Sequence, residues 1–261
     1  MRVIVTMLFT SMTAIMLLPI QAGSPKKRVL LLWQKPDGHP KGTHEYELGQ
    51  RILKRELDRI PGIDAVLVNA DDPWREGPKM LAEADGVVLF VSEGAAWLNA
   101  SAERLAAFQA CAKRKAGFVV LHWGMGSKDA KNIEPFVDLF GGCHGGPDRK
   151  YKVVSTKLRV PKLDHPVLRG LATFEVRDEF YYTLKFPKKG PKSQGLLHVD
   201  IDGEVHPVAW AFERPDGGRS FGFSGLHFHE NWQLAEYRRL VTQGVLWSVD
   251  APISKEGIAV K

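Results

Sequence analysis

The chain is poor in cysteine, with only Cys111 and Cys143 in 261 residues. Two thiols cannot build a disulfide framework, and without a Cys-x-x-Cys pair there is no thiolate metal site of the zinc-finger kind. Cys111 falls in a helical pattern and reads as a small buried hydrophobe, while Cys143 sits in the glycine-rich run Gly141-Gly142-Cys143-His144-Gly145-Gly146. Both are expected as free thiols. Internal repeats and low-complexity blocks are also missing. The net charge of +6 comes from Lys and Arg scattered among 30 acidic residues, so no nucleic-acid footprint is expected. The single basic spot, Lys185 to Lys192, reads as a solvated loop.

Long apolar runs are confined to one place. Val3 to Ile20 follows Arg2 and precedes the small residues Ala22-Gly23-Ser24, the pattern of a secretory signal peptide cleaved after Ala22. The protein is therefore expected to be exported, to the periplasm or outside the cell, with no membrane insertion left after cleavage. No cysteine stands at the cleavage point to carry a lipid. Residues 1–22 are the expected leader, 23–250 one domain and 251–261 a tail. With 44% hydrophobic residues, a domain of this length can bury its own core without disulfides or structural metals. A homo-oligomer is compatible with these features.

Arg28 to Trp33, apolar without a break from Val29 on, reads as a strand buried on both faces. His44 to Ile60 reads as a helix with Leu48, Ile52, Leu53, Leu57 and Ile60 on one face, ended by Pro61-Gly62. Ala65–Val68, Gly86–Val91 and Gly117–Leu121 read as further strands. Between the last two lies a helix capped by Asn99 or Ser101, with Leu105 and Phe108 facing inward. This alternation predicts an α/β fold with a mostly parallel sheet, helices on both faces and all strand C-termini on one edge. Tyr151–Val160, Thr173–Tyr182 and Leu196–Val199 predict an antiparallel β extension. Val208–Phe212 and Ser220–Phe223 form a hairpin about Glu213 to Arg219, and a last helix covers Leu234–Val249.

The candidate chemistry sits at predicted strand ends. Phe221 to Phe223 reads as an aromatic strand that runs into Ser224-Gly225-Leu226-His227-Phe228-His229-Glu230-Asn231-Trp232, and Gly117–Leu121 runs into His122-Trp123-Gly124. In hydrolases and amidotransferases built on such sheets, the elbow after this strand carries a Ser or Cys nucleophile. Here it carries His122, and Ser127 lies well beyond the turn, so catalysis through an acyl-enzyme is excluded. His39, His44, His122, His144, His227 and His229 all fall in loops, at strand ends or at a helix start. Two imidazoles and a carboxylate would suit zinc or another divalent metal, with His122 and His227 as the ligands. The pair Asp178-Glu179 supplies carboxylates for sugar hydroxyls, a metal or a general base. Trp33, Trp97, Trp123 and Trp232 fall near loop ends, where rings stack on sugar faces or pack in the core.

Several of these segments, in this order, resemble the ThuA-like (trehalose-utilisation) family, whose fold is that of the class I glutamine amidotransferase-like group. They are the opening strand with His44 after it, Gly117–His122, Asp164-His165-Pro166-Val167-Leu168-Arg169-Gly170-Leu171 and Phe174 to Tyr181. Pro207-Val208-Ala209-Trp210, Gly218-Arg219-Ser220-Phe221 through Leu226-His227, and Arg238 to Trp247 complete the set. The resemblance implies a flavodoxin-like sheet without the amidotransferase nucleophile and a role in carbohydrate use, in company with sugar oxidoreductases and secreted glycan-degrading enzymes. Its recurring polar residues fall on His44, His122, Asp178, Glu179 and His227. The family's usual Gly-His is replaced by Leu226-His227 with an extra His229, which leaves open which imidazole enters the pocket. His165 also matches, and reads as a turn residue.

Two functional readings result. In the first, an exported enzyme acts on a sugar or (keto-)glycoside by acid/base or metal-assisted isomerisation, elimination or hydrolysis. His122 and His227 then serve as acid/base groups or metal ligands and Glu179 as the base, while His44, Trp123, Asp178, His229 and Trp232 contact the sugar. In the second, the same fold is a carbohydrate-binding or accessory module without turnover.

Overall fold

The computed structural model describes residues 25–261, and the expected leader, 1–22, lies outside the described residues. β1 (Lys27–Trp33) leads to α1 (Tyr46–Leu57), β2 (Ile63–Asn69), α2 (Gly77–Ala82), β3 (Gly86–Phe90), α3 (Gly94–Asn99), α4 (Ala102–Lys113) and β4 (Gly117–Leu121). Two short strands, β5 (Gly126–Ser127) and β6 (His144–Gly145), flank α5 (Ile133–Phe140). β7 (Lys150–Leu158), β8 (Phe174–Tyr182), β9 (Gln194–Ile201), β10 (Glu204–Glu213), β11 (Arg219–Phe223) and α6 (Ala235–Ser248) complete the chain.

The central sheet has the order β2-β1-β3-β4-β11-β10-β9. Its first five strands are parallel, the flavodoxin-like order with β11 in fifth place. β10 and β9 extend it antiparallel, and β7 pairs with β8 as a separate antiparallel ribbon. The apolar runs explain the two layers of helices. Successive strand residues point to opposite faces, so Val29, Leu31, Val119 and Leu121 join the core under α1 and α6. Leu30, Leu32, Phe118 and Val120 join the core under α2 to α5. Each fully buried aliphatic side chain of this kind contributes roughly 1.5–3 kcal/mol.

Some local expectations change. α1 starts at Tyr46, because His44 holds a left-handed backbone (φ 50°) that no helix continues. Leu48 is 46% exposed; the buried stripe is Gly49, Ile52, Leu53 and Leu57, and Leu48 lies about 100° around the helix from Gly49. Ser101, and not Asn99, caps α4, its hydroxyl accepting the Arg104 N–H at 3.2 Å. Residues beyond α6 pack back onto the body: Arg169 donates to the Ile253 carbonyl, and the Ile258 N–H donates to Gln243. Cys111 and Cys143 are buried free thiols.

One close approach sets the position of the turn after β4. A Cβ on Gly94, at the start of α3, would lie 2.1 Å from the Gly124 carbonyl oxygen. Only glycine lets α3 lie directly against the turn that carries His122.

Candidate functional site

β1, β3, β4 and β11 all end on the same sheet edge, where open α/β sheets form their crevices. β4 runs into a tight 3-10 turn, His122–Met125, whose first residue has φ 45°. After β11 the chain turns at Leu226, with φ 78°. Glycine would be at ease there, and a leucine needs the turn to be held. Asp178 holds it. Its carboxylate accepts the N–H groups of Leu226 at 2.7 Å and His227 at 3.2 Å, and the Tyr237 hydroxyl at 3.0 Å. The loop after β1 is pinned to the same turn, since the His44 N–H donates to the His227 carbonyl and the His229 N–H to the Gly42 carbonyl.

These anchors bring three imidazoles to one point. His44 Nε2 lies 3.0 Å from His122 Nε2 and 3.1 Å from His227 Nδ1, and the third side of the triangle is 3.2 Å. The Tyr181 hydroxyl reaches His122 Nε2 at 3.0 Å. Glu179 Oε1 stands 3.5 Å from His227 Nδ1 and 3.9 Å from His122 Nε2.

The outer nitrogens fix the tautomers. His122 Nδ1 is 2.8 Å from the Ser224 carbonyl oxygen, which can only accept, so this nitrogen carries the proton. His44 Nδ1 donates to Asp37 Oδ2 at 3.0 Å. In both neutral rings Nε2 is therefore an unprotonated acceptor; the two face each other at 3.0 Å, and the Tyr181 hydroxyl donates to the one on His122. Protonation does not relieve this. Burial, reinforced by the neighbouring His44 and His227, pushes His122 well below the ordinary histidine value, and burial also lowers His44. His227 is pushed down to about 4 by burial and by His44. Asp37 stays ionised: burial opposes this, but hydrogen bonds from His44, Tyr46 and His39 hold its carboxyl far below the usual range.

Converging lone pairs with their opposite nitrogens locked by a carboxylate and a carbonyl are the arrangement of a metal-binding histidine set. A tetrahedral ion at Zn–N bonds of 2.0–2.1 Å would separate its ligand nitrogens by about 3.3 Å, close to the observed triangle. His44, His122 and His227 could hold a divalent ion, with Glu179 within reach of the same point. Burial, and then the neighbouring Asp178, raise Glu179 to about 7, a value suited to proton transfer near neutral pH.

The cleft around this point measures about 420 Å³ and is lined by His39, His44, Trp123, Glu179, Tyr181 and His227 among others. The remaining expected site residues lie elsewhere. Asp178 is fully buried beneath the cleft as the anchor just described. Burial raises it to about 6 against the hydrogen bonds it accepts, so it is ionised at neutral pH. His229 is outside the lining. Trp232 is 1% exposed and packs on Phe90 and against Gly49, so it is a core residue between α1 and the sheet. His165 caps a turn, its Nδ1 accepting the Val167 N–H.

Asp37, Tyr181 and His144 are the contributors that sequence reasoning did not place in the pocket. Tyr181 had a readable signal, since it shares strand parity with Glu179. Asp37 lay in an irregular loop. His144 is 1% exposed with both ring nitrogens unpartnered, and stacks on Tyr181 at 4.0 Å. Burial, then Arg149 and Lys185, push His144 down to about 3; burial, then Arg219 and Arg169, push His165 to about 4. Both bind a proton more readily unfolded than folded, so their stability contribution is full above pH 6.5 and is lost as pH falls toward the folded values. Between pH 7 and pH 5 the unfolding free energy from urea titration should fall by about 2 kcal/mol more in the wild type than in His165→Gln, since the raised carboxyls of Glu179 and Asp178, which oppose the loss, are common to both. An equal fall in the two proteins would contradict this.

The family described as ThuA, trehalose utilisation, matches residues 28–248. A putative ThuA-like protein from Bacteroides uniformis is similar in structure, with TM-score 0.65, 15% identity and coverage of 87% of this chain and 93% of that one. A putative ThuA-like protein from Parabacteroides merdae gives TM-score 0.64 at 15% identity over 86% and 90% of the two chains. The GH42 β-galactosidase Gan42B aligns with 87% of this chain through 30% of its own, at 10% identity and TM-score 0.55. No curated protein is significantly similar in sequence.

Proposed function

The chain belongs to the ThuA (trehalose utilisation) family, and on that premise we propose that its histidine cleft is the active site of a metal-assisted acid/base enzyme acting on a sugar or glycoside. The observation that carries this reading is the 3.0 Å contact between the lone pairs of His44 and His122, which calls for a cation. His44, His122 and His227 would hold the ion, zinc or another divalent metal. When bound, it would supply Lewis acidity for a carbonyl or glycosidic oxygen.

The protein's own groups account for the rest. Glu179 is the general base, its Oε1 3.5 Å from His227 Nδ1 and aimed at the same point. Tyr181 stays protonated, because burial and then Glu179 raise its hydroxyl well above the usual value, so it donates a hydrogen bond into the cleft. Half-buried Trp123 offers a ring for the apolar face of a sugar. Export of the mature domain from residue 23 remains part of the proposal and rests on the N-terminal sequence alone.

The test is metal analysis of the purified protein joined to a panel of sugars, keto-sugars and glycosides followed by NMR in D₂O. About one equivalent of metal with conversion of a panel member is expected. Deuterium at a product carbon would mark isomerisation, a new carbon–carbon double bond elimination, and release of the aglycone with neither change hydrolysis. Ligand binding by metal-loaded protein without conversion would replace the enzyme with a carbohydrate-binding module; failure to bind any divalent metal overturns the metal assignment.

Asp37 gives a second, independent check. Asp37→Asn removes the charge that orients His44 and should weaken metal binding by about 10- to 100-fold, as loss of such orienting carboxylates does. Competition with a chelator measures it, and an unchanged affinity would remove Asp37 from the site.

A further inference from the structure

Five acidic or basic side chains line the cleft besides its histidines: Asp37, Glu93, Lys128, Arg149 and Glu179. Four of them have counterparts. Asp37 receives the His39 ring at 2.7 Å, His44 at 3.0 Å and the Tyr46 hydroxyl at 2.6 Å. Glu93 pairs with Lys128 at 2.8 Å. Glu179 faces His227 and the point where a metal would sit. Arg149 is the exception.

Its Nη1 donates to the Gly146 carbonyl at 3.0 Å, and its guanidinium has no carboxylate within 4.0 Å among the described residues. That bond ties the half-buried side chain to its own turn, between β6 and β7. Nε and Nη2 meet no protein acceptor among the described residues, which leaves most of the donor fork to whatever enters the cleft. Nearby Lys185, by contrast, is paired with Asp148. A guanidinium stays charged at any working pH, so this positive charge is uncompensated. A divalent ion at the histidine triangle would add to it. Ion and Arg149 together would then outweigh the negative charge of Asp37 and Glu179.

We propose that Arg149 determines specificity by receiving an anionic substituent of the ligand, a carboxylate or a phosphate, so that the cleft selects a charged sugar over a neutral one. The planar guanidinium matches the oxygens of either group with two parallel N–H bonds. A hydroxyl would leave the positive charge unbalanced. In a partly enclosed cleft the attraction is screened less than on open surface. Arg149 stands outside the set of atoms that meet at the triangle, so its place suits selection of the ligand and not the chemical step. The inference rests on the carbohydrate reading of the cleft.

Isothermal titration of zinc-loaded protein with glucuronate, glucose 6-phosphate and glucose tests it. At least one of the two anions should bind about tenfold more tightly than glucose, equivalent to 1.4 kcal/mol, and the tighter of them names the substituent. Arg149→Gln should bring that ratio close to one, with zinc content and glucose affinity unchanged. Lys150→Gln removes the same charge from an exposed neighbour outside the lining and should keep the preference. Circular dichroism confirms that both variants are folded. Three results overturn the anion site while the carbohydrate reading stands: equal binding of all three sugars, a preference kept in Arg149→Gln because the anion sits on the ion, or a preference lost equally in Lys150→Gln. Binding of none of the three sugars overturns both.

Discussion

Purified His122→Ala and His227→Ala proteins should each carry less than a tenth of the metal found in the wild type, and neither should turn over substrate. The expectation follows from the count of ligands. Each substitution removes one corner of a triangle whose sides are 3.0, 3.1 and 3.2 Å. Loss of an orienting partner alone costs about 10- to 100-fold in affinity, and loss of a ligand costs more. His122 is fully buried, so its truncation also leaves a void and unpairs the Ser224 carbonyl. His227 is only half-buried and its backbone is held by Asp178, which makes His227→Ala the cleaner variant. Folded protein with full metal content in both variants would sink the triangle as a metal site.

Glu179→Gln should behave differently: metal retained, KM little changed, kcat lowered by about 10²- to 10⁴-fold, the usual worth of a positioned general base. The amide preserves shape beside His227 but cannot accept a proton. Asp178, the adjacent residue, is the contrast. It is more deeply buried, and it faces Leu226, His227 and Tyr237 instead of the cleft. Asp178→Asn should therefore loosen the turn that carries His227. If Glu179→Gln loses its metal along with its activity, the carboxylate is a ligand and the base must be sought elsewhere.

The sheet was legible because burial on both faces writes itself as uninterrupted apolar runs, as in β1, β3 and β4. Short helices were not. α2 and α3 have six residues each, too few for a periodic stripe, and α3 starts from a left-handed Glu93 without a side-chain cap. His122 and His227 could be read as strand-end histidines, since strand ends on one edge must converge, and His44 as a histidine at a helix start. Two things stayed hidden. Strand parity separates Asp178 from Glu179, but only once the register of β8 is known. The Asp37 loop has no period at all, and its geometry comes from contacts with His39, His44 and Tyr46.

The order in which the sheet is assembled has a consequence for biosynthesis. β11 is the last strand made, yet it occupies an interior place between β4 and β10. His227 meets His44 and His122 across sequence separations of 183 and 105 residues. A chain emerging N-terminus first thus holds the hydrogen-bonding edge of β4 unsatisfied from Leu121 until Arg219 to Phe223 have been made, a state prone to pairing with other chains. Closing that gap and completing the triangle are one event. Any protein truncated before Arg219 lacks both, and ligand retention becomes a readout of whether the chain has finished folding.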